Sequence, residues 1–367
     1  MSKRVVVGMS GGVDSSLAAL LLKEQGYEVI GLFMRNWNEE DENGCCSADA
    51  DYGDVRSVCQ KLDIPYYTID LSKEYYDRVF KHFVSEYSRG RTPNPDVLCN
   101  KEIKFDSFVK HALALGADHV ATGHYCNVSH TDGRHYLMKA KDEDKDQTYF
   151  LNQVSERQLE KVLFPIGNML KSEVRELAEK YGLSTADKKD STGVCFIGER
   201  NFRKFLSEYI PMKRGEIRTL DGKTVGFHDG VYYYTLGQRK GLGVGGVPFN
   251  KDGGRWFVAK KDVENNILYV SQGDQSMLYA RELVTDGFNF VNGTPEKKEF
   301  RCAARIRHRQ KEQNATCRVL ENGSVKIEFD DMQRAIVEGQ YATLYVGDVC
   351  IGGGVIDAVP DRDIRCV

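Results

Sequence analysis

No apolar run in this sequence is long enough to cross a bilayer, and the opening Met-Ser-Lys-Arg leads directly into a strand-like segment instead of the apolar core of a signal peptide. None of the ten cysteines forms a C-x-x-C pair, which argues against a structural zinc site. We therefore expect a cytoplasmic protein without membrane contact, whose cysteines are thiols. Most of them should be packing residues, and any with a function would be nucleophilic or redox-active.

A strong net charge is also missing, because 51 Lys and Arg residues face 54 Asp and Glu residues and leave a formal charge of -3. This balance excludes a broadly basic nucleic-acid-binding protein, so RNA would have to bind at local patches. The 367 residues suffice for two or three domains with cores of their own.

The most informative stretch is the Ser/Gly turn S-G-G-V-D-S at 10–15, which separates a β-branched apolar run from a leucine-rich one. The two runs predict a strand followed by a helix. The turn lacks the lysine of G-x-x-x-x-G-K-[ST] and the spacing of G-x-G-x-x-G, so neither of those nucleotide-binding loops is present. Glycines let a ligand approach the backbone, and the first N–H groups of a helix favour a phosphate. Asp14 would then need a bridging Mg²⁺; in the alternative, a plain strand–turn–helix, it caps the helix.

Strand-like and helix-like segments alternate through the first two hundred residues. Strands are predicted at 28–34, 65–70 and 119–122, and helices at 49–62, 72–89 and 101–115. This rhythm predicts an α/β fold with a parallel sheet and helices on both faces. Ligands of such sheets bind at the carboxyl ends of the strands. We therefore expect the loop after Met9, Met34 and residues 122–124 to share one rim.

The acidic stretch 36–53 contains adjacent cysteines, Cys45 and Cys46. Because no histidine or third cysteine lies nearby, we interpret it as a mobile surface loop in preference to a metal site.

A second cysteine-bearing loop, at 91–100, has prolines on both sides of Asn94. These prolines predict a rigid loop that leads into a helix near residue 101. Cys99 would lie just before that helix, where the helix dipole lowers the pKa of a thiol. The alternative is a packed cysteine beside a helix cap.

Two basic residues, Lys171 and Arg175, are spaced to share one face of a predicted helix. They would either meet a phosphate or pair with the glutamates of the same helix, Glu173, Glu176 and Glu179. The polar loop that follows, at 186–198, carries Cys195.

Several motifs then occur in a distinctive order: S-G-G-V-D-S-S, N-P-D-V-L-C-N, A-T-G-H-Y, K-D-Q-T-Y-F-L, D-S-T-G-V-C-F-I-G and Y-T-L-G-Q-R-K-G-L-G. Together they resemble the tRNA-specific 2-thiouridylases, the MnmA/TrmU family within the PP-loop ATP pyrophosphatases, over nearly the whole chain. The resemblance implies an ATP-dependent tRNA uridine 2-sulfurtransferase. Such an enzyme adenylates the C2 oxygen of the wobble uridine, U34, and replaces it with persulfide sulfur, giving 2-thiouridine, AMP and pyrophosphate.

The resemblance also implies the roles of individual residues. ATP would be bound by Gly8, Met9, Ser10, Gly11, Gly12, Val13, Asp14, Ser15, Met34 and Gly123. The target base and the rest of the tRNA would be contacted by Asn94, Pro95, Asp96, His124, Lys145, Asp146, Gln147, Arg307, His308 and Gln340. Cys195 would carry the persulfide, and Cys99 would be the nucleophile that transiently forms a disulfide with Cys195. Asp96 would move a proton or orient the base. The family usually has an aromatic residue where His308 stands.

Cofactors and partners follow from the same resemblance. ATP and Mg²⁺ are expected, with no metal held by the protein alone, and an iron–sulfur cluster on Cys99 and Cys195 is the less favoured alternative. Expected partners are tRNAs for lysine, glutamate and glutamine and a cysteine desulfurase or sulfur-relay protein. We expect a monomer.

From about residue 205 the sequence changes to short alternating strands and glycine turns. The resemblance divides the chain into a catalytic domain at 1–204, a small central domain at 205–278 and a C-terminal β-barrel at 279–367. The composition fits this division, and E-N-G-S at 321–324 predicts a hairpin within the barrel.

Four arginines of the barrel fall on odd positions. They are Arg301, Arg305, Arg307 and Arg309. On one strand they would form a basic stripe suited to a phosphate backbone, with Cys302, Ala304 and Ile306 on the opposite face. The alternative is an ordinary solvated strand face.

Two other functions remain open on the residues alone. A PP-loop synthetase that adenylates a small molecule would need neither the paired cysteines nor the basic barrel. A non-catalytic RNA-binding protein would keep the loop without its chemistry.

Overall fold

A computed structural model describes residues 2–37, 47–190, 202–244 and 254–364. Strands β1 to β7 are Arg4–Met9, Glu28–Arg35, Tyr66–Asp70, His119–Ala121, Asn127–Thr131, Arg134–Met138 and Val162–Leu163. Five of them form a fully parallel sheet in the order β3-β2-β1-β4-β7. The valines of β1 are completely buried, as expected for a strand covered on both faces. The predicted α/β fold is confirmed.

Helices lie between these strands and beyond them. The α-helices are Val13–Glu24, Ser47–Lys61, Ser72–Tyr75, Lys81–Ser88, Pro95–Leu98, Phe108–Ala114, Glu156–Leu159, Lys171–Lys180, Phe202–Ser207 and Pro360–Ile364. The π-helical segments Tyr76–Phe80 and Cys99–Ser107 join neighbouring α-helices into continuous helices at 72–88 and 95–114, and short 3₁₀ turns lie at Thr148–Leu151, Val231–Tyr233 and Ser276–Leu278. No helix of the described residues is both long and apolar enough to cross a membrane.

The helix that carries Cys99 begins earlier than the prolines suggested. Its first residue is Pro95, and the side chain of Asn94 caps it by accepting a hydrogen bond from the backbone N–H of Asp96 at 3.2 Å. Proline is well tolerated at the first helical position because the N–H it lacks has no partner within the helix. The expected start near residue 101 is therefore wrong.

A hairpin formed by β5 and β6 was not predicted. Its turn is Asp132-Gly133, both with positive φ (51° and 72°), and this dipeptide is a recognised hairpin signal that could have revealed it. Through the pairing of Met138 with Val349, the hairpin extends a sheet of the C-terminal barrel. The N-terminal and C-terminal regions are thus joined by backbone pairing.

The described part of the chain from Gly215 onward is mostly β. Strands β8 to β11 are Gly215–Thr219, Thr224–His228, Trp256–Asp262 and Ile267–Gln272, and they form a sheet in the order β10-β11-β8-β9. Strands β12 to β17 are Tyr279–Phe290, Glu299–Arg305, Gln313–Val319, Val325–Arg334, Tyr341–Val346 and Val349–Ala358. Because β12 pairs with both β15 and β17, these six strands close into a barrel. The predicted hairpin at 321–324 joins β14 to β15, and Asn322 accepts from the N–H of Ser324 within it.

The predicted stripe of four arginines does not form. Strand β13 ends at Arg305, so only Arg301 and Arg305 lie on it. Arg301 is exposed and pairs with Asp330, whereas Arg305 is buried, with 9% of its surface exposed. The alternation itself is real, because the intervening Cys302 and Ala304, and Ile306 just beyond the strand, are buried in the barrel core. The stripe fails because a segment of the N-terminal region covers this end of the strand.

Candidate functional site

The Ser/Gly loop between β1 and the first helix is shaped by bonds among its own residues. The hydroxyl of Ser15 accepts from the N–H of Ser10 at 3.2 Å and lies 3.1 Å from the carbonyl of Gly12. Gly11 has a φ of 75°, and a Cβ there would lie 2.6 Å from the carbonyl oxygen of Asp51. Only glycine fits this position without strain. The loop leads into the N-terminus of a helix, where backbone N–H groups suit an anion.

The strand ends that should share a rim do so. Met34 is half-buried and directly follows Phe33, the last buried residue of β2, which pairs with Met9 of β1. After β4, Gly123 packs directly against the loop, since a Cβ there would lie 2.7 Å from backbone atoms of both Asp14 and Ser15. The rim predicted from strand order is confirmed.

Asp14 does not cap the helix, because the N-cap is Gly12 and it makes no side-chain capping bond. Its carboxylate instead lies 2.7 and 2.8 Å from Nζ of Lys171 and accepts a hydrogen bond from the hydroxyl of Tyr125 at 2.9 Å. Lys171 also lies 2.9 Å from Asp190. The cap alternative is therefore wrong, and the carboxylate is held by side chains from outside the loop.

Asp190 gathers three cations, since Arg175 and Lys145 each lie 2.8 Å from it in addition to Lys171. Burial raises the pKa of Asp190, but the bonds from Lys145 and Lys171 outweigh this effect and the pKa is lowered. Pairing of Lys171 and Arg175 with the glutamates of their own helix is thus not what holds them. The aspartates that do hold them were not predicted, because the sequence does not show which distant carboxylate completes such a pair.

Asp96 and Cys99 lie in the first two turns of the helix at 95–114; Asp96 is half-buried, and Cys99 is buried in the core. Burial raises the pKa of Asp96, opposed by the charge of Lys104, so its carboxyl holds a proton more readily than an exposed one. Cys99 is 2% exposed and lies inside the helix, not before its first turn, so the expected position at a helix N-terminus is wrong. The same helix packs Phe108 against Gly8 at the end of β1.

His124 is buried beside the same helix. Its Nδ1 lies 2.8 Å from the hydroxyl of Thr122, and its Nε2 lies 3.5 Å from Nζ of Lys104. Burial lowers the pKa of His124 well below the usual value, and Lys104 lowers it further. The imidazole is therefore neutral near pH 7.

The loop that precedes Asn94, which we call the junction loop (residues 90–94), is held by all three regions of the chain. The N–H of Thr92 donates to the carbonyl of Glu338, and Gln340 donates to the carbonyl of Thr92 at 2.8 Å. Lys261 donates to the carbonyl of Gly90. Gln340, a predicted RNA contact, thus orients the backbone beside the predicted base-contacting residues.

The predicted RNA contacts at 145–147 are held in a similar way. Gln147 accepts from the N–H of Tyr125 at 2.8 Å, and Asp146 is 2% exposed and pairs with Arg305. His308 lies 3.2 Å from the carbonyl oxygen of Asp146, and its ring centroid is 4.3 Å from that of Phe150. Arg307 is exposed on the barrel just beyond β13.

Cys195, Cys45 and Cys46 lie outside the described residues, so the predicted cysteine pair stays a prediction. The stretch 36–53, interpreted as a mobile loop, is helical from residue 47 onward, so that interpretation is wrong for 47–53; residues 38–46 lie outside the described part of the chain. Among the residues that are described, no three histidine, cysteine or carboxylate side chains are grouped to hold a metal ion. Sequence reasoning missed Tyr125 and Asp190, and it placed Arg305 in a basic stripe for RNA instead of in a buried ion pair. The A-T-G-H-Y motif was the available signal for Tyr125.

A parallel α/β sheet with a Ser/Gly loop at its rim, joined to a closed β-barrel, defines a PP-loop protein with an added barrel. Three family models match the chain in order: tRNA methyl transferase HUP domain at residues 3–199, tRNA methyl transferase PRC-barrel domain at 203–272 and Aminomethyltransferase beta-barrel domain at 280–356. The tRNA-specific 2-thiouridylase MnmA of Exiguobacterium sibiricum is 56% identical over 354 residues, which is 96% of this chain and 93% of that protein. The protein of the same name from Bacillus cytotoxicus is 53% identical over 357 residues, 97% of this chain and 95% of the relative.

Among solved structures, the U34-tRNA thiolase NcsA from Methanococcus maripaludis is similar over 56% of this chain and 63% of its own, with 18% identity and a TM-score of 0.36, too weak a likeness to carry an argument. The family is established by the sequence relatives alone. The chain belongs to the family of tRNA-specific 2-thiouridylases.

Proposed function

We propose that this protein is a tRNA uridine 2-sulfurtransferase that acts on the wobble uridine, U34. The observation that carries the proposal is the helix at 95–114. It holds Asp96 and Cys99 at its start and packs Phe108 against Gly8 of the loop strand. A nucleophilic thiol and an ATP-binding loop are therefore parts of one packed unit.

The support for ATP is the loop's position at a helix N-terminus, where N–H groups favour phosphates. Gly11 and Gly123 let the neighbouring backbone pack closely against the loop, because a Cβ at either position would collide with it. The phosphates would be held by the N–H groups of residues 10–15 and the adenosine by the rim at Met34 and Gly123. Asp14 is the carboxylate that the loop offers to Mg²⁺, which would neutralise charge on the phosphates. In this structure the carboxylate of Asp14 is paired with Lys171 instead.

The chemistry requires two thiols. The C2 oxygen of the uridine attacks the α-phosphate of ATP and releases pyrophosphate. The terminal sulfur of a persulfide on Cys195 then attacks C2, and AMP leaves with the former oxygen. The thiolate of Cys99 attacks Sγ of Cys195, which breaks the sulfur–sulfur bond to leave 2-thiouridine and a Cys99–Cys195 disulfide. Two electrons from a dithiol reductant restore both thiols. Asp96, with its raised pKa, is suited to hold the proton that moves at the base.

Further parts of the proposal rest on the family relationship. They are a cysteine desulfurase or relay protein as sulfur donor, tRNAs for lysine, glutamate and glutamine as substrates, a monomeric state, a cytoplasmic location and no iron–sulfur cluster. The domain limits 1–204, 205–278 and 279–367 belong to the proposal as well.

The test is thiolation in vitro with unmodified tRNA, ATP, Mg²⁺, cysteine and a cysteine desulfurase, with 2-thiouridine measured by mass spectrometry of digested tRNA. We expect the wild type to form 2-thiouridine and AMP in equal amounts, and Cys99→Ser and Cys195→Ser to form no 2-thiouridine. Cys302→Ala is the matched control, because this thiol lies in the barrel core and should be dispensable.

Undiminished thiolation by either serine variant would contradict the roles of the two thiols. Exchange of labelled pyrophosphate into ATP without tRNA would favour a synthetase that adenylates a small molecule instead.

A further inference from the structure

Arg305 occupies an unusual position for a residue of a predicted RNA-binding strand. Its guanidinium is shared between two carboxylates, with Nη1 2.9 Å from Asp146 and Nη2 2.8 Å from Glu312. It also lies over the ring of Tyr345, 4.7 Å from the centroid. Only 9% of Arg305 is exposed, so a phosphate of bound RNA would have to displace these partners to reach it.

Asp146 is held from both sides of the boundary between the catalytic region and the barrel. Its carboxylate accepts from the N–H of Ala140 at 3.1 Å and from the hydroxyl of Thr148 at 2.7 Å. The barrel supplies Arg305 to the carboxylate and His308 to the backbone carbonyl, at 3.2 Å. A buried carboxylate with these bonds is a poor contact for an anionic RNA, and its position is strongly determined.

The residues on either side of Asp146 point elsewhere. Lys145 is partly exposed and lies 2.8 Å from Asp190, near the loop, and Gln147 is bonded to the backbone of Tyr125 in both directions. Because Asp146 lies between them, the contact with Arg305 anchors the backbone from which both side chains extend.

We propose that Arg305 is a positioning residue for RNA binding: it holds Asp146 so that Lys145 and Gln147 are presented to the tRNA, and it does not itself meet a phosphate. The inference rests on the proposed function. An arginine is needed because its planar fork reaches two carboxylates at once, which a lysine cannot do in the same geometry.

The test is a double-mutant cycle on tRNA affinity in the full-length protein, measured by filter binding at one fixed salt concentration. Arg305→Met and Lys145→Ala should each weaken binding about tenfold, as expected for the loss of one phosphate-type contact. The double variant should bind about as weakly as the weaker single variant, because both changes remove the same contact. Independent contacts would instead multiply to about a hundredfold loss, and that result would overturn the proposal.

Arg305→Lys separates positioning from charge. It keeps the positive charge, so tRNA affinity near that of the wild type would indicate a direct phosphate contact and overturn the proposal; a loss similar to that of Arg305→Met supports it. Asp146→Asn provides a second route should Arg305→Met fail to fold, and it should weaken tRNA binding to the same extent. Normal binding by Asp146→Asn would overturn the inference.

Arg318→Met is the matched control, since Arg318 forms an exposed pair with Glu299 on the neighbouring strand and touches neither RNA-facing segment. The tRNA affinity of Arg318→Met should equal that of the wild type. A loss as large as that of Arg305→Met would overturn the proposal, because it would show that removing any arginine of the barrel weakens tRNA binding. A wild-type protein that fails to bind tRNA would overturn the proposed function itself, an outcome distinct from every variant-specific one.

Discussion

The Ser/Gly loop, which we propose binds ATP, is built differently from the two segments that we propose face RNA, the junction loop and residues 145–147. The loop is shaped by neighbours, such as the bond between Ser10 and Ser15, five residues apart. The junction loop and the 145–147 segment are shaped by distant residues, with 248 positions between Thr92 and Gln340 and 159 between Asp146 and Arg305. A local loop can form wherever its strand and helix form. The RNA-facing segments require the barrel to be docked before they are in place.

This difference assigns different consequences to mutations. A change within the loop should affect nucleotide binding while the rest of the chain stays folded. A change at the barrel boundary should affect RNA binding and the association of the three regions together. Three measurements of stability test this division, from the largest expected effect to the smallest.

The first concerns Lys171, the long-range contact on which the loop side does depend. It is 12% exposed and lies between Asp14 and Asp190, so Lys171→Met leaves these carboxylates without their shared cation. Asp190 keeps Arg175 and Lys145, but Asp14 keeps only the Tyr125 hydroxyl. We expect the free energy of unfolding in urea to fall by about 3 kcal/mol, the lower end for removing one partner of a buried ion pair.

The matched control for this change is Lys141→Met. Lys141 pairs with Glu173 of the same helix as Lys171, at 3.1 Å, but both side chains are more than 40% exposed. Exposed pairs contribute about 0–1 kcal/mol, so Lys141→Met should be nearly neutral. If both variants lost the same unfolding free energy, the burial of Lys171 between two carboxylates would contribute nothing beyond an exposed ion pair.

The second measurement concerns a residue of the loop itself. Gly11→Ala places a Cβ at a φ of 75° and 2.6 Å from the carbonyl oxygen of Asp51. We expect a loss of about 2 kcal/mol in unfolding free energy, from backbone strain and the forced shift of Asp51. Gly26→Ala is the control, because Gly26 has a φ of 86° but no atom within 4 Å of the added Cβ. Gly26→Ala should lose about 1 kcal/mol of unfolding free energy and keep nucleotide affinity. Equal losses for the two variants would mean that the backbone of Asp51 shifts away from the new Cβ at no measurable cost.

The same contrast explains what sequence reasoning achieved. The loop, the parallel sheet and the rim could be predicted because their signals are local and repeat along the chain. Residue alternation around Arg305 correctly separated two faces of a strand, but it carried no information on what covers each face. Pro95 is a harder case, because proline both ends helices and begins them, and only the capping bond of Asn94 decided between the two. The partners of Lys171 could not be predicted either. The sequence offered Glu173, Glu176 and Glu179 on the same helix, and it does not show that the distant Asp14 and Asp190 lie closer in space.

The third and smallest effect is the pH dependence contributed by Lys261 at the junction loop. Lys261 donates to the carbonyls of Gly90 and Tyr234, and burial lowers its pKa to about 8, with Glu338 opposing this shift and Arg362 adding to it. Below pH 8 the lysine is protonated in both the folded and the unfolded chain, and its burial costs stability. Between pH 8 and the ordinary lysine pKa near 10.4, only the unfolded chain keeps the proton, so stability rises with pH.

The measurement is the difference in unfolding free energy between the wild type and Lys261→Met. Buried thiols make stability fall with pH, as for Cys59, whose pKa burial raises to about 11. Because both proteins contain these thiols, their contribution cancels in the difference. This difference should shift in favour of the wild type by about 1 kcal/mol between pH 7.5 and 9. Lys260→Met, one position earlier on β10, should leave the corresponding difference flat. A flat difference for Lys261→Met as well would mean that the amine at the junction loop stays protonated, and that the three regions meet around a charge and not around a neutral donor.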